Sequence, residues 1–158
     1  MPPCYYAARQ RAAVPRTQIH RESSPGAWLA ADGGLGSYRD LRAFRDDPGR
    51  ERLGATETTS LLVHLRRPSR LSTLGMADTQ PFLDPAGRYA FSHNGDLRNF
   101  GPWRRRYRAE GRIHGRADTE AGARWLEDAG RPGEPVGHLL GALHDTFAGQ
   151  AKMAVLGA

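Results

Sequence analysis

In the first part of the chain, apolar residues alternate or run together over short stretches bounded by Gly, Pro and Asp, which is typical of β-strands. The segment GAWLAADGGLGSYRDLRAF predicts a hairpin, with strands near residues 26–31 and 35–44 joined by a turn at Asp32-Gly33-Gly34. The run TSLLVHLR, residues 59–66, is continuously apolar at its centre and predicts a buried strand. The segment between these two regions, DDPGRERLGATE, is polar and predicts a loop.

A further strand is predicted where GRYAFSHNG alternates Tyr89, Phe91 and His93 with small residues. The polar stretch 68–85 before it predicts a loop. The strand ends on Asn94-Gly95, a pair that signals a turn because both residues accept positive φ at low cost.

The apolar spacing then changes from the period of a strand to that of a helix. Trp103 and Tyr107 share one face of a helix that is expected to start with Pro102 at its first position. A second helix is expected to be capped by Asp118 and a third to run from Val136 to Phe147; Gly130 and Gly149 stop them. The final segment, AKMAVLGA, predicts another strand. Strands, then helices, then a strand predict an α+β layered domain.

The composition bounds the partners that this domain can have. The chain has 158 residues, enough for one domain over residues 1–158, and a net charge of +6. Lys152 is its only lysine, so nearly all of the positive charge is arginine, scattered along the chain. The densest run, Arg104 to Arg106 with Arg108, lies on a predicted helix beside aromatic residues. Because the positive charge is otherwise scattered and is not concentrated in one long basic patch, we expect no nucleic-acid partner.

Cysteine and histidine usage argue against disulfide and metal chemistry. Cys4 is the only cysteine, and the six histidines form no ligand-like pair, so neither an intrachain disulfide nor a metal site is expected. No apolar run approaches the roughly 20 residues of a membrane span, and the N-terminus lacks the apolar core of a signal peptide. The sequence predicts a cytoplasmic protein with no membrane partner.

Four polar positions together suit a site that cleaves the side-chain amide of an amino acid. Arg66 can hold an α-carboxylate bidentately, and Asp118 can hold an α-ammonium group. The Asn94 amide and the Gly95 backbone N–H can converge on one oxygen as an oxyanion hole. Each residue alone has a structural explanation: a surface arginine, a helix cap, a turn. Their order along the chain favours the site.

These segments resemble the class II glutamine amidotransferase domain, an N-terminal-nucleophile hydrolase. The resemblance is carried by VHLR, TQPF, SHNGDLRNF and RADTEAGARWLED, and by GAWLAADGG; it extends from about His20 to Leu156 and matches residues 1–19 poorly. It implies a four-layer α/β/β/α sandwich, incomplete at both ends, that hydrolyses glutamine or a γ-glutamyl compound through a cysteine thioester, with no metal or organic cofactor. It assigns carboxylate binding to Arg66 and Ser69, ammonium binding to Asp118 and the oxyanion hole to Asn94 and Gly95.

The resemblance also implies Cys4 as the nucleophile, with its own α-amino group as the base. In this chain Cys4 follows Met-Pro-Pro, so its nitrogen is an amide until three residues are removed. Whether the chain is an active enzyme as written therefore stays open. The alternative is a truncated or degenerate, inactive domain that binds a glutamine-like ligand or serves as a partner subunit, and a homo-oligomer is also open.

Overall fold

The computed structural model of the protein describes the backbone of residues 5–8 and residues 25–65 and 75–157 in full. In these ranges the chain forms two antiparallel sheets and four α-helices. The strands are β1 (Tyr5–Ala8), β2 (Gly26–Leu29), β3 (Leu35–Tyr38), β4 (Leu61–His64), β5 (Phe82–Leu83), β6 (Tyr89–Leu97) and β7 (Gly149–Gly157). The helices are α1 (Gly49–Ala55), α2 (Phe100–Ala109), α3 (Asp118–Ala129) and α4 (Val136–Phe147). The predicted α+β class is confirmed.

The first sheet has the strand order β1-β4-β2-β3, and the second has the order β5-β6-β7. The predicted hairpin joins β2 to β3: the Ala30 N–H donates to the Gly34 carbonyl over 2.8 Å, and Gly33 has a φ of 84°. In the second sheet β6 pairs with β7 over nine residues, from Tyr89 opposite Gly157 to Leu97 opposite Gly149. The last predicted strand is therefore part of the sheet that carries Asn94.

The layers are held together by apolar packing. Helices α3 and α4 pack on the second sheet, and α2 packs on α3. Their shared core contains the buried residues Phe82, Phe91, Leu97, Ala123, Leu126, Leu143 and Phe147. The two sheets meet where β2 and β4 contact β7. The predicted aromatic face of α2 is present, with Trp103 and Tyr107 stacked at 6.0 Å between ring centroids.

The predicted loop around residues 46–57 was wrong, because it contains α1. Leu53 is buried, and its side chain lies against Gly26 of β2. The helix start is held by Asp47, whose carboxylate accepts the Gly49 N–H at 2.8 Å and the Tyr38 hydroxyl at 2.5 Å. A single buried leucine gives little periodic signal, so this short helix depends on a contact that is distant in sequence.

Element ends also differ from the prediction. Strand β3 stops at Tyr38 rather than near residue 44, because Asp40 accepts the Arg42 N–H at 2.7 Å and turns the chain. The polar stretch before β6 contains the two-residue strand β5. Helix α2 starts at Phe100, two residues before Pro102, which remains in the first turn, where no intrahelical N–H bond is needed. Within the described ranges, no helix is long and apolar enough to cross a membrane.

Candidate active site

Asn94 and Gly95 lie inside β6 and not in the predicted turn. They are opposite Lys152 and Ala151 of β7, and the strand continues to Leu97. Gly95 has a φ of 141°, and a Cβ at this position would overlap with the backbone carbonyl of Gln150. The glycine is required by the close approach of β7. The Asn-Gly pair therefore correctly indicated an unusual backbone conformation, but this conformation lies within strand β6 and not in a turn.

Alternation along β6 places neighbouring side chains on opposite faces of the sheet. Phe91 packs in the core under the helices, and His93 bonds to Thr119 of α3, so these side chains face the helical layer. The side chain of Asn94, which is half-buried, belongs to the face that β7 turns toward the first sheet. Lys152 is the direct cross-strand neighbour of Asn94 and shares its face. Sequence reasoning noted Lys152 only as the sole lysine.

Asp118 is adjacent to this part of β6. Its Oδ2 atom accepts the Leu97 backbone N–H at 2.7 Å, and its Oδ1 atom accepts the Thr119 N–H at 2.9 Å. The residue is half-buried at the first position of α3; the N-cap is Ala117, so the predicted capping role was off by one residue. A carboxylate has about four lone-pair sites, so two of them remain for a ligand. Asp118 thus places a negative charge two residues beyond Gly95.

The loop that leads into α3 is fixed by two buried carboxylates. Asp78 accepts the N–H groups of Arg116 and Ala117 at 2.5 and 2.6 Å. Glu120 accepts the N–H groups of His114 and Gly115 at 3.0 and 2.7 Å. Every N–H of residues 114–117 therefore has a charged acceptor. The loop positions Asp118, which follows it directly.

Part of the arginine run predicted on α2 serves the same loop. Arg104 donates to the carbonyl of Arg116, and Arg108 donates to the carbonyl of Gly115 over 2.9 Å. Arg106 instead pairs with Glu110 at 2.9 Å on the surface. The roles of Arg104 and Arg108 could not be predicted from the sequence pattern, because their acceptors are backbone carbonyls in a loop. The Arg106–Glu110 pair has the i,i+4 spacing that brings two side chains together on a helix.

A buried polar cluster lies immediately before Asn94. The Gln80 Oε1 atom accepts the His93 backbone N–H at 2.6 Å, and its Nε2 atom donates to the His93 carbonyl over 3.0 Å and to Thr119 Oγ1 over 3.2 Å. His93 Nδ1 lies 3.1 Å from the same hydroxyl oxygen. Burial lowers the pKa of His93, opposed by the negative charges of Asp118 and Asp96, so the imidazole is held neutral. In the sequence, Gln80 is part of the TQPF segment and His93 belongs to a predicted strand, and neither was assigned a role in the site.

Three of the predicted site residues, Cys4, Arg66 and Ser69, lie outside the described residues. The strand ends that lead to two of them meet: Tyr5 of β1 is opposite His64 of β4. The same end of this sheet contains Tyr38, opposite Gly26 of β2. The next residue, Arg39, donates to the Thr79 carbonyl over 3.2 Å, beside the Gln80 cluster. This contact brings that end of the first sheet to the end of β6 that carries Asn94.

Known structures share this fold. One is glutamine phosphoribosylpyrophosphate amidotransferase from B. subtilis, solved with ADP and GMP. It superposes on this chain with a TM-score of 0.65 and 16% identity, and the match covers 87% of this chain and 30% of the B. subtilis chain. A glutamine aminotransferase class-II domain protein from Silicibacter pomeroyi superposes over 85% of this chain and 64% of its own, with a TM-score of 0.58 and 21% identity.

This chain therefore spans about a third of the length of the B. subtilis protein and about two thirds of the length of the Silicibacter pomeroyi protein. No protein-family model matches the chain, and no curated protein matches it. The resemblance to class II glutamine amidotransferases is confirmed at the level of fold: the chain has a fold similar to that of these two proteins.

Proposed function

We propose that this chain, which has the fold of class II glutamine amidotransferase domains, is a glutamine amidotransferase-like domain. Its substrate is the side-chain amide of glutamine or of a γ-glutamyl compound. One observation carries the proposal: the Asp118 carboxylate accepts the N–H of Leu97, two residues after Gly95 on β6. This contact supports a site in which the ammonium-binding anion at the start of α3 and the candidate oxyanion donors of β6, far apart in sequence, act on one substrate.

The proposed reaction is acyl transfer through a thioester. Asp118 binds the substrate α-ammonium group, and Arg66, with Ser69, binds the α-carboxylate. The Cys4 thiolate attacks the side-chain carbonyl carbon, and the developing oxyanion accepts hydrogen bonds from the Asn94 amide and the Gly95 N–H. The tetrahedral intermediate collapses, the leaving nitrogen takes a proton and departs as ammonia, and the thioester remains. Water then hydrolyses the thioester to release glutamate and the thiol.

The base in this scheme is the α-amino group of Cys4, whose usual pKa of about 8 suits proton transfer near neutral pH. In the printed sequence that nitrogen is acylated by Pro3. We therefore propose that catalysis requires removal of Met1, Pro2 and Pro3. The described strand end at Tyr5, opposite His64, supports this scheme, because it belongs to the end of the first sheet that the Arg39–Thr79 bond joins to the region beside Asn94.

We also propose that the layers form a four-layer α/β/β/α sandwich. Helices α3 and α4 cover the outer face of the second sheet. The contact of Leu53 in α1 with Gly26 of β2 supports a helical layer on the outer face of the first sheet.

The alternative is a domain that binds a glutamine-like ligand without turning it over. It is favoured by the position of Cys4 behind three residues, since without the amine the thiol has no adjacent base in the proposed scheme. Both functions use Asp118 and Arg66 in the same way, so only the chemical step distinguishes them.

The decisive experiment compares the chain as printed with a chain whose first residue is Cys4, in an ammonia-release assay with glutamine. We expect turnover only from the second chain, because general-base assistance contributes about 10²–10⁴-fold to such reactions. A Cys4→Ser version of the trimmed chain is the matched control and should be inactive.

Turnover by the untrimmed chain, or turnover that survives Cys4→Ser, would contradict the thioester scheme. Glutamine binding by calorimetry without turnover in either chain would favour the ligand-binding alternative. Absence of both binding and turnover in folded protein would refute the proposed function.

A further inference from the structure

Gln80 continues the pairing of β5 with β6 by means of its side chain. Phe82 is opposite Phe91 and Leu83 is opposite Ala90, so this register, extended, sets residue 80 opposite His93. Pro81 lies between and has no backbone N–H to donate to the ladder. The Gln80 amide instead bonds both the N–H and the carbonyl of His93, at 2.6 and 3.0 Å. It supplies the donor and the acceptor that a strand residue would supply.

The same amide joins β6 to the start of α3. Its second Nε2 hydrogen is directed at Thr119 Oγ1, 3.2 Å away, and this hydroxyl also lies 3.1 Å from His93 Nδ1. Gln80, His93 and Thr119 are each at most 5% exposed, so water competes little for these bonds. Thr119 directly follows Asp118, so the cluster fixes the backbone that carries the carboxylate.

Helix α3 is thus attached to β6 on both sides of Asn94 and Gly95. On one side Gln80 and Thr119 hold residue 93; on the other side Asp118 holds the N–H of Leu97. The two residues proposed as oxyanion donors are the segment between these attachments. Their distance from the carboxylate is therefore set by the Gln80–His93–Thr119 cluster together with the Asp118 bond.

We infer that Gln80 is a positioning residue of the site, which holds the Asn94-Gly95 segment at a fixed distance from Asp118. The role in catalysis rests on the proposed function, whereas the attachment itself does not. An oxyanion forms only in the transition state, so loosening its donors lowers kcat and leaves binding of the substrate nearly unchanged. Loss of a residue that contributes only to overall stability would change amide exchange equally along the whole of β6.

The test uses Gln80→Leu and Thr119→Val, which keep the volume and remove the polar atoms, with Thr119→Ser as the control that keeps the hydroxyl. Amide hydrogen exchange is followed on β6 in the full chain. We expect exchange at residues 93–97 to rise by about fivefold or more in both apolar variants, and less than about twofold at residues 89–91. Thr119→Ser should stay close to the parent chain.

Two further measurements on the chain that starts at Cys4 separate the inference from the proposed function. If the parent turns over glutamine, kcat should fall by about tenfold in Gln80→Leu and Thr119→Val, while the Kd for glutamine changes less than about twofold. If the parent neither binds nor cleaves glutamine, the proposed function fails and the exchange data still decide the attachment. Equal exchange increases at both ends of β6, or no increase at residues 93–97, would overturn the inference whatever the activity shows.

Discussion

At the scale of single residues, Gly95 shows how a tertiary contact determines a residue type. Its φ of 141° is unfavourable for residues with a side chain, and the carbonyl of Gln150 occupies the place of a Cβ. Gly87 also has a positive φ, 72°, but a Cβ there would meet nothing within 4 Å. Substitution of Gly87 therefore measures the energetic cost of the backbone conformation alone, whereas substitution of Gly95 adds the cost of overlap with β7.

We expect Gly95→Ala to reduce the free energy of unfolding by about 2 kcal/mol or more, because the strained φ and the displaced β7 backbone both contribute. Gly87→Ala should reduce the free energy of unfolding by about 1 kcal/mol, because only the left-handed backbone conformation is unfavourable there. Urea unfolding of the two variants and the parent measures the difference. Equal losses in the two variants would show that the approach of β7 does not constrain Gly95.

At the scale of elements, α3 is positioned by the loop before it as much as by its apolar face. The helix buries Ala121, Ala123 and Leu126 against the sheet and α2. Its first residue, Asp118, bonds to Leu97, and the bonds of residues 114–117 to Asp78 and Glu120 help to hold the helix start in place. Buried carboxylates that accept backbone N–H groups, such as Asp78 and Glu120, make stronger bonds than neutral acceptors.

Glu120→Gln should reduce the free energy of unfolding by about 1–3 kcal/mol. Glutamine has one acceptor oxygen, so either the His114 or the Gly115 N–H, both bonded to Glu120, loses its acceptor. Amide exchange at residues 114–117 should also accelerate. Glu51→Gln is the control: Glu51 is exposed on α1, and we expect a change within about 0.5 kcal/mol. A loss at Glu120 no larger than at Glu51 would contradict the role of the carboxylate.

At the scale of the whole molecule, the helices and the two sheets bury a titratable side chain between them. His93 is 2% exposed between β6 and α3; its Nδ1 atom lies 3.1 Å from Thr119 Oγ1, whereas its Nε2 atom has no hydrogen-bond partner among the described residues. Burial lowers its pKa, so the folded state binds its proton less readily than the unfolded chain, in which the pKa is about 6.5. The contribution of His93 to stability is therefore fully present above that pH and is lost as the pH falls toward the lowered value.

We expect the free energy of unfolding to decrease between pH 7.5 and pH 5.5, and His93→Gln to show a smaller decrease than the parent chain over the same interval. His138→Gln, an exposed control on α4, should retain the parental decrease. Urea unfolding of the three proteins at both pH values provides the comparison. A parental pH dependence that is unchanged in His93→Gln would mean that the imidazole becomes protonated without penalty in the folded state.

The sequence predicted most of the larger elements, because their signals are local. Helix α4 ends at Phe147 as the apolar period and the following glycine predicted, and β6 and β7 follow their apolar patterns. The short elements α1 and β5 were missed, because one buried leucine or two paired residues leave no periodic pattern. Among the site residues, Asn94, Gly95 and Asp118 came from the order of motifs; their proximity could not be derived from it.

Local patterns in the sequence by themselves determined the α+β class, the order of strands and helices and the residue types available for amide chemistry. Only the tertiary structure decided that Asn94-Gly95 is strand rather than turn, because β7, more than fifty residues later in the chain, pairs with it. It also decided that Gln80, Thr119 and Asp118 attach α3 to both sides of that segment. Hydrogen bonds between distant residues have no periodicity, so no pattern along the chain reveals them.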